Sequence, residues 1–191
     1  MLTYCNEDES DTCEFAMTDL LAAASLAPFR NFEQATKFLE DTVRRAGIKH
    51  LSYWYLQYVD GAPDHVVWVS TYDPAYMSRY MKKFTPLGDA VISSVVDDNV
   101  VIDWVEWLEV SEDIYAEALN YGITKYGISL PIYSGSADKI IFSVNIDCDD
   151  DNWSAQRAVL VKRYRPFATE FNTRMKVLIE SNEIGEAIYL V

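Results

Sequence analysis

The residues of this chain with the greatest capacity for specific binding are three tyrosines, an aspartate and a tryptophan in one stretch of sequence. They are Tyr72, Tyr76, Tyr80, Asp89 and Trp104. On a helix, the four-residue spacing of the tyrosines would place them on one face. Asp89 follows in a context rich in Val and Ile. One carboxylate and several phenols on apolar walls are typical of a small-ligand pocket, in which a few polar groups orient the ligand.

A second interpretation of the same residues stays open. The aromatic side chains can be ordinary core residues, and Asp89 can be only the N-cap of a short helix that runs to about Val96. Composition alone does not separate these two interpretations.

The sequence lacks the residue patterns of the common catalytic sites. The two histidines, His50 and His65, lie on or beside predicted strands, and no GxSxG motif, metal-spaced histidine pair or glycine-rich phosphate loop occurs. The acidic run 147–152 lacks the glycine and glutamate of a calcium loop, and a turn in which Asp151 or Asn152 caps the next helix explains it better. We therefore expect no enzyme activity, no metal and no cofactor.

Composition limits the partners of the chain. A formal net charge of −14 argues against binding of a phosphate backbone or an anionic membrane by this chain alone. The three cysteines form no CxxC pair, which fits a reducing compartment, and no apolar run is long enough to span a membrane. We expect a cytoplasmic protein of one domain, because 191 residues suffice for one core.

Hydrophobic periodicity predicts helices alternating with pairs of strands. The predicted helices are 15–27, 31–47, about 74–84, 112–121 and 153–181, and the predicted strands are 51–59, 65–72, 127–133 and 139–147. Pro166 should kink or divide the last helix. This order predicts an α+β fold: an α–β–α sandwich with a central, mainly antiparallel sheet of about five strands and helices on both faces.

The stretch 72–104 resembles the autoinducer-binding domain of LuxR-type quorum-sensing transcription factors. That family has a Trp, a Tyr four residues later, an Asp nine after that and a Trp fifteen further on, and Tyr76, Tyr80, Asp89 and Trp104 fall on this register. The segment GITKYGISLPIYSGSADKIIFSVNID (122–147) resembles the family's second motif, a Gly-rich strand followed by a β-hairpin. The usual Trp is Tyr76 here, and the Pro that usually follows the Asp is replaced.

The resemblance implies an N-acyl-homoserine lactone buried between the sheet and one helical layer. By this resemblance Asp89 would accept the amide N–H of the ligand, Tyr76 would donate to the lactone carbonyl and Tyr72 to the acyl carbonyl. Tyr80 and Trp104 would form the walls of the head-group site. Two serines, Ser129 and Ser143, would contact polar atoms of the acyl chain.

The resemblance also implies partners and a domain arrangement. We expect an acidic, flexible tail at 1–14, a ligand-binding domain at 15–181 and the start of an interdomain linker at 182–191. A homodimer is expected, and DNA binding would require the family's C-terminal helix-turn-helix domain, which these residues do not contain. The alternative function is a truncated relative that inactivates full-length partners by mixed dimerisation.

Overall fold

A computed structural model of the chain describes residues 27–60, 62–83, 89, 92, 100–109, 112–133 and 138–181. In chain order these residues form α1 (Phe32–Ala46), β1 (His50–Val59), β2 (Ala62–Ser70), α2 (Pro74–Lys83), β3 (Ile102–Asp103), a 3₁₀ helix (Trp104–Trp107), α3 (Glu112–Leu119), β4 (Gly127–Ile132), β5 (Lys139–Asn145) and α4 (Asp150–Ser181).

Local sequence signals explain where the first helices begin and end. The Asn31 side chain accepts a hydrogen bond from the Gln34 backbone N–H at 2.8 Å and so caps α1. Gly47 ends α1 with a φ of 65°, in the left-handed region that glycine enters without steric cost. At α2, Asp73 accepts from the Ala75 N–H at 2.7 Å, just before proline at the first helical position.

The five strands form one antiparallel sheet in the order β2-β1-β5-β4-β3. Because side chains alternate along a strand, each strand contributes to both faces of the sheet. On β5, for example, Phe142 packs on the side of α1 and α4, whereas Ile141 belongs to the apolar cluster that includes α2 and α3 residues. The predicted α+β sandwich with helices on both faces is confirmed.

The face covered by α1 and α4 holds the larger core. Fully buried aromatic rings from the sheet and from α4 meet there, among them Tyr53, Phe142, Phe167 and Phe171. The Tyr53 hydroxyl satisfies its hydrogen-bonding capacity by donating to Asn172 Oδ1 at 2.9 Å. Because this face is well packed, it gives the opposite face of the sheet a rigid platform.

The structure corrects the predicted position of Tyr72. Tyr72 lies before the first residue of α2, so only Tyr76 and Tyr80 share a helical face. The ring of Tyr72 nevertheless contacts that of Tyr76, at a centroid distance of 5.8 Å in an edge-on arrangement. The strand that precedes these residues, β2, begins at Ala62, three residues before the predicted strand 65–72.

The long C-terminal helix also departs from the prediction. It begins at Asp150, and its cap is Asp149, which accepts from the Asn152 N–H at 2.9 Å. Neither Asp151 nor Asn152 caps it, and the helix continues through Pro166 without division. The short strand β3 and the 3₁₀ helix after it were not predicted.

Several predicted features lie wholly or largely outside the described residues. They are the tail 1–14, the helix 15–27, the linker 182–191 and most of the short helix predicted after Asp89.

Candidate functional site

A cavity lies between the sheet and the helices α2 and α3. The volume of this cavity is about 100 Å³, which is room for several waters or a small organic group. Its wall contains all seven residues that the sequence singled out: Tyr72, Tyr76, Tyr80, Asp89, Trp104, Ser129 and Ser143. The fold therefore brings them together, and their roles in ligand binding stay predictions.

The carboxylate of Asp89 is held by groups on two sides. The Tyr80 hydroxyl donates to one oxygen at 2.6 Å, and the Ile92 backbone N–H points to the other at 3.4 Å. Asp89 is thus both a helix-cap residue and part of the cavity wall. Burial and the neighbouring carboxylate raise the pKa of Tyr80 well above its ordinary value, so this phenol stays a donor.

Tyr76 is a buried phenol whose hydroxyl has no hydrogen-bond partner in the described part of the chain. Its side chain is only 5% exposed, and its ring lies between those of Tyr72 and Tyr80. Burial raises its pKa above the ordinary value. A hydroxyl on a cavity wall that has no protein partner is a candidate ligand contact.

Tyr72 connects the tyrosines to the sheet. Its hydroxyl accepts a long hydrogen bond of 3.5 Å from the Ser52 hydroxyl, which leaves the phenolic proton available. Burial raises the pKa of Tyr72 to about 12, so that proton is retained at neutral pH. The other side of the ring contacts His50, at a centroid distance of 5.2 Å.

The position of Trp104 is fixed by β4. Its indole N–H donates to Ser129 Oγ at 2.9 Å. The six-membered ring lies directly on Gly127, where a Cβ atom would overlap the indole carbons. Glycine is therefore required at position 127, because any larger residue would overlap the indole ring of Trp104.

A row of serines crosses the floor of the cavity. Ser52 and Ser129 are each the cross-strand partner of Ser143, one on β1 and the other on β4. The hydroxyls of Ser129 and Ser143 are 2.8 Å apart, and both side chains are buried. Together with Tyr72 and Trp104, these serines form a polar band across an otherwise aromatic and aliphatic wall.

Comparison with protein families gives a match to the autoinducer binding domain over residues 31–175. The chain belongs to the autoinducer-binding domain family. The family predicted from the sequence is confirmed by this match, and the matched segment contains every cavity residue named above.

Solved structures of the same fold include regulators of the LuxR family. The chain is similar to the N-acylhomoserine lactone dependent LuxR family transcription factor CepR2 from Burkholderia cenocepacia, with 18% identity, a TM-score of 0.68, and coverage of 87% of this chain and 99% of that one. It is also similar to SdiA in complex with octanoyl-rac-glycerol, with 13% identity, a TM-score of 0.57 and coverage of 96% and 72%. A search of curated proteins found no match.

The sequence analysis of this autoinducer-binding domain missed two cavity residues on β1, Ser52 and Trp54. Both lie on the same face of the strand as Leu56. The alternation of strand side chains was a usable signal for them. The sequence does not show which of the two alternating sets of β1 side chains faces the cavity.

The helices that cover the cavity are tied together at the surface. Glu117 of α3 forms ion pairs with Arg79 of α2 at 2.8 Å and with Lys83 at 3.6 Å. The two cations are mostly exposed, whereas the carboxylate is 14% exposed. These ion pairs connect α2 and α3, the two helices that line the cavity.

Among the residues that the structure describes, no group of His, Cys, Asp or Glu is arranged to hold a metal ion. No helix among them is long and apolar enough to cross a membrane.

Proposed function

We propose that this domain binds an N-acyl-homoserine lactone in the cavity between the sheet and α2 and α3. The observation that carries the proposal is that the Tyr76 hydroxyl, which has no partner among the described residues, lies on the same aromatic cavity wall as the Asp89 carboxylate. A lactone of this class offers one N–H donor and several carbonyl acceptors. It therefore complements a wall that has one acceptor and several phenolic donors.

Each polar residue then has a role consistent with its geometry. Asp89 accepts the amide N–H, since each carboxylate oxygen has lone-pair capacity beyond its bond to the protein. Tyr72 donates its free phenolic proton to the acyl carbonyl, and Tyr76 donates to the lactone carbonyl. Tyr80 and Trp104 form the walls of the head-group site.

The acyl chain extends over the serine row. Ser129 and Ser143 form a hydrogen bond with each other across the strands. Because a hydroxyl has two acceptor lone pairs as well as one proton, this pair can also bond a polar substituent on the acyl chain. A ligand that binds the folded cavity and not the unfolded chain also stabilises the fold by mass action. Ligand binding is therefore coupled to the stability of the fold.

The related functions follow from this one. The domain serves as the sensor of a LuxR-type transcriptional regulator in the cytoplasm, and ligand binding favours a homodimer. Specific DNA binding belongs to a separate helix-turn-helix domain, because the charge of −14 opposes a phosphate backbone.

The first test is thermal denaturation with a panel of acyl-homoserine lactones of different chain lengths, with 1-octanoylglycerol as a lipid comparator. A lactone at 100 times its dissociation constant should add about 2.7 kcal/mol to the free energy of unfolding. If no lactone raises the melting temperature, the lactone assignment is wrong, and stabilisation by the glycerol ester alone identifies a different ligand class.

The second test is the ordering of variants by calorimetry. Asp89→Ala and Asp89→Asn should each weaken lactone binding by about 30- to 150-fold, because a charge-assisted bond is lost in a dry site. Tyr76→Phe should cost about 1 kcal/mol, and Tyr76→Trp should be tolerated. Asp138→Asn is the matched control, since Asp138 also accepts a tyrosine hydroxyl, that of Tyr55 at 3.0 Å, but lies off the cavity wall.

If Asp89→Ala binds the lactone as well as the wild type while Tyr76→Phe is crippled, Asp89 is only a helix cap and its assigned role is wrong.

A further inference from the structure

We infer that Trp54 supplies a second hydrogen-bond donor to the head group of the ligand and so selects head groups that carry acceptor oxygens. The inference rests on the proposed function, because it concerns the same cavity. It assigns a specificity-determining role to a residue of β1 that lies far from the tyrosine and aspartate motif in sequence.

The indole N–H of Trp54 is an unsatisfied donor. The side chain is only 5% exposed and lines the cavity, yet its N–H donates to no acceptor among the described residues. Two other indoles in the described part of the chain do have protein acceptors: Trp104 donates to Ser129 and Trp153 to Asp103. An indole N–H that lacks a protein acceptor on a cavity wall is a candidate donor to a bound ligand.

The neighbours of Trp54 include a residue proposed to form the head-group site. Its ring lies 5.9 Å from that of Tyr80, whose hydroxyl donates to Asp89. Ser52, two residues before Trp54 on the same strand, contacts the Tyr72 hydroxyl. Trp54 therefore lies among the polar residues proposed to bind the ligand.

The lactone carbonyl can use both donors. A carbonyl oxygen has two lone pairs and accepts two hydrogen bonds. The rings of Tyr76 and Trp54 both contact that of Tyr80, each at a centroid distance of 5.9 Å. With a phenol at position 76, Trp54 supplies an indole donor to the same cavity wall.

Trp68 provides a matched control on the neighbouring strand. It is the cross-strand partner of Trp54, and their rings stack at 5.8 Å with an interplanar angle of 22°. The two side chains are equally exposed, at 5%. Trp54 lines the cavity and Trp68 does not. Trp68→Phe therefore alters the stacked pair of rings while the cavity donor of Trp54 stays in place.

The experiment compares two probes, N-octanoyl-homoserine lactone and N-octanoyl-cyclopentylamide. The second keeps the amide and the five-membered ring but lacks both lactone oxygens. Calorimetry with the wild type, Trp54→Phe and Trp68→Phe measures each affinity. Trp54→Phe should weaken lactone binding about tenfold, the effect of one hydrogen bond, and leave cyclopentylamide binding within about twofold. Trp68→Phe should change both affinities by the same factor.

Three results would overturn the inference. The first is unchanged lactone affinity in Trp54→Phe. The second is an equal loss of both probes in Trp54→Phe, which would indicate packing alone. The third is failure of both probes to bind the wild-type protein, which refutes the proposed function and the inference with it. If the wild-type protein binds the lactone and either of the first two results is found, only the inference about Trp54 is refuted. The proposed function is then unaffected.

A measurement on the wild-type protein covers the case in which Trp54→Phe does not fold. With ¹⁵N-labelled tryptophan, the indole N–H signal of Trp54 is assigned by replacing the other tryptophans one at a time. N-octanoyl-homoserine lactone should move this proton signal downfield, as expected for a newly formed hydrogen bond, and the cyclopentylamide should not. The same shift with both probes, or with neither, contradicts a bond to the lactone oxygens.

Discussion

The packing of Trp104 on Gly127 predicts that Gly127→Ala is strongly destabilising although it adds one methyl group. The new Cβ atom would lie inside the indole ring, and Gly127 has no other reason to be glycine, because its φ is not positive. Overpacking of this kind costs about 1–3 kcal/mol. Displacement of the ring also breaks the 2.9 Å bond from Trp104 to Ser129, which is worth about 1 kcal/mol. The expected loss of unfolding free energy is about 2–4 kcal/mol.

A double-mutant cycle separates this contact from a general effect of alanine in the strand. In a Trp104→Leu background the indole is absent, so Gly127→Ala should cost nothing or stabilise slightly, because glycine inside a strand is about 0.5–1 kcal/mol worse than alanine. The coupling energy between the two substitutions should therefore be about 2–5 kcal/mol. Urea denaturation followed by circular dichroism measures all four proteins.

The control for this cycle is Gly122→Ala. Gly122 has a φ of 76° and open space around its Cβ position, so its cost comes from backbone strain and should be the same with Trp or Leu at position 104. The explanation of Gly127 fails if the cost of Gly127→Ala persists in the Trp104→Leu background. It also fails if Gly127→Ala is as stable as the wild type and keeps full lactone affinity.

Two further predictions concern pH and the surface contact between the helices. Burial lowers the pKa of His50, although the hydrogen bond to the Thr71 carbonyl at 3.2 Å opposes this effect. As pH falls, His50 is therefore protonated in the unfolded chain before it is protonated in the folded protein. Stability should decline as pH drops below about 6.5, and His50→Gln should remove that part of the decline in urea titrations between pH 7.5 and 5.5. Glu117→Gln should cost less than about 1 kcal/mol, because Arg79 is mostly exposed. It should also speed lactone dissociation in stopped-flow fluorescence, and an unchanged dissociation rate at low salt would show that the ion pair does not hold α3 over the cavity.

Much of the fold could be predicted because its signals are local. Asn31 and Gly47 mark the ends of α1 through cap chemistry that involves only neighbouring residues. The alternation of β5 and the apolar stripe of α4 likewise depend on residues close in sequence. These elements, in this order, permit few arrangements other than a sandwich.

The remaining features depend on contacts between distant residues. The strand β3 has two residues and exists because it pairs with β4, so no local periodicity marks it. The serine row requires the register between β1, β5 and β4, since Ser52 and Ser143 become neighbours only when the strands pair. The role proposed for Trp54 depends on an absent hydrogen bond, which only the assembled structure reveals.

The sheet divides stability and binding between its two faces. On the side of α1 and α4, aromatic rings are fully buried, and the Tyr53 hydroxyl is satisfied by Asn172. On the cavity side, the Tyr76 hydroxyl and the Trp54 indole N–H donate to no acceptor among the described residues, and both side chains line the cavity. A ligand that accepts from both donors would gain hydrogen bonds that the described chain does not supply. Under the proposed function, the same two groups would therefore contribute both affinity and specificity.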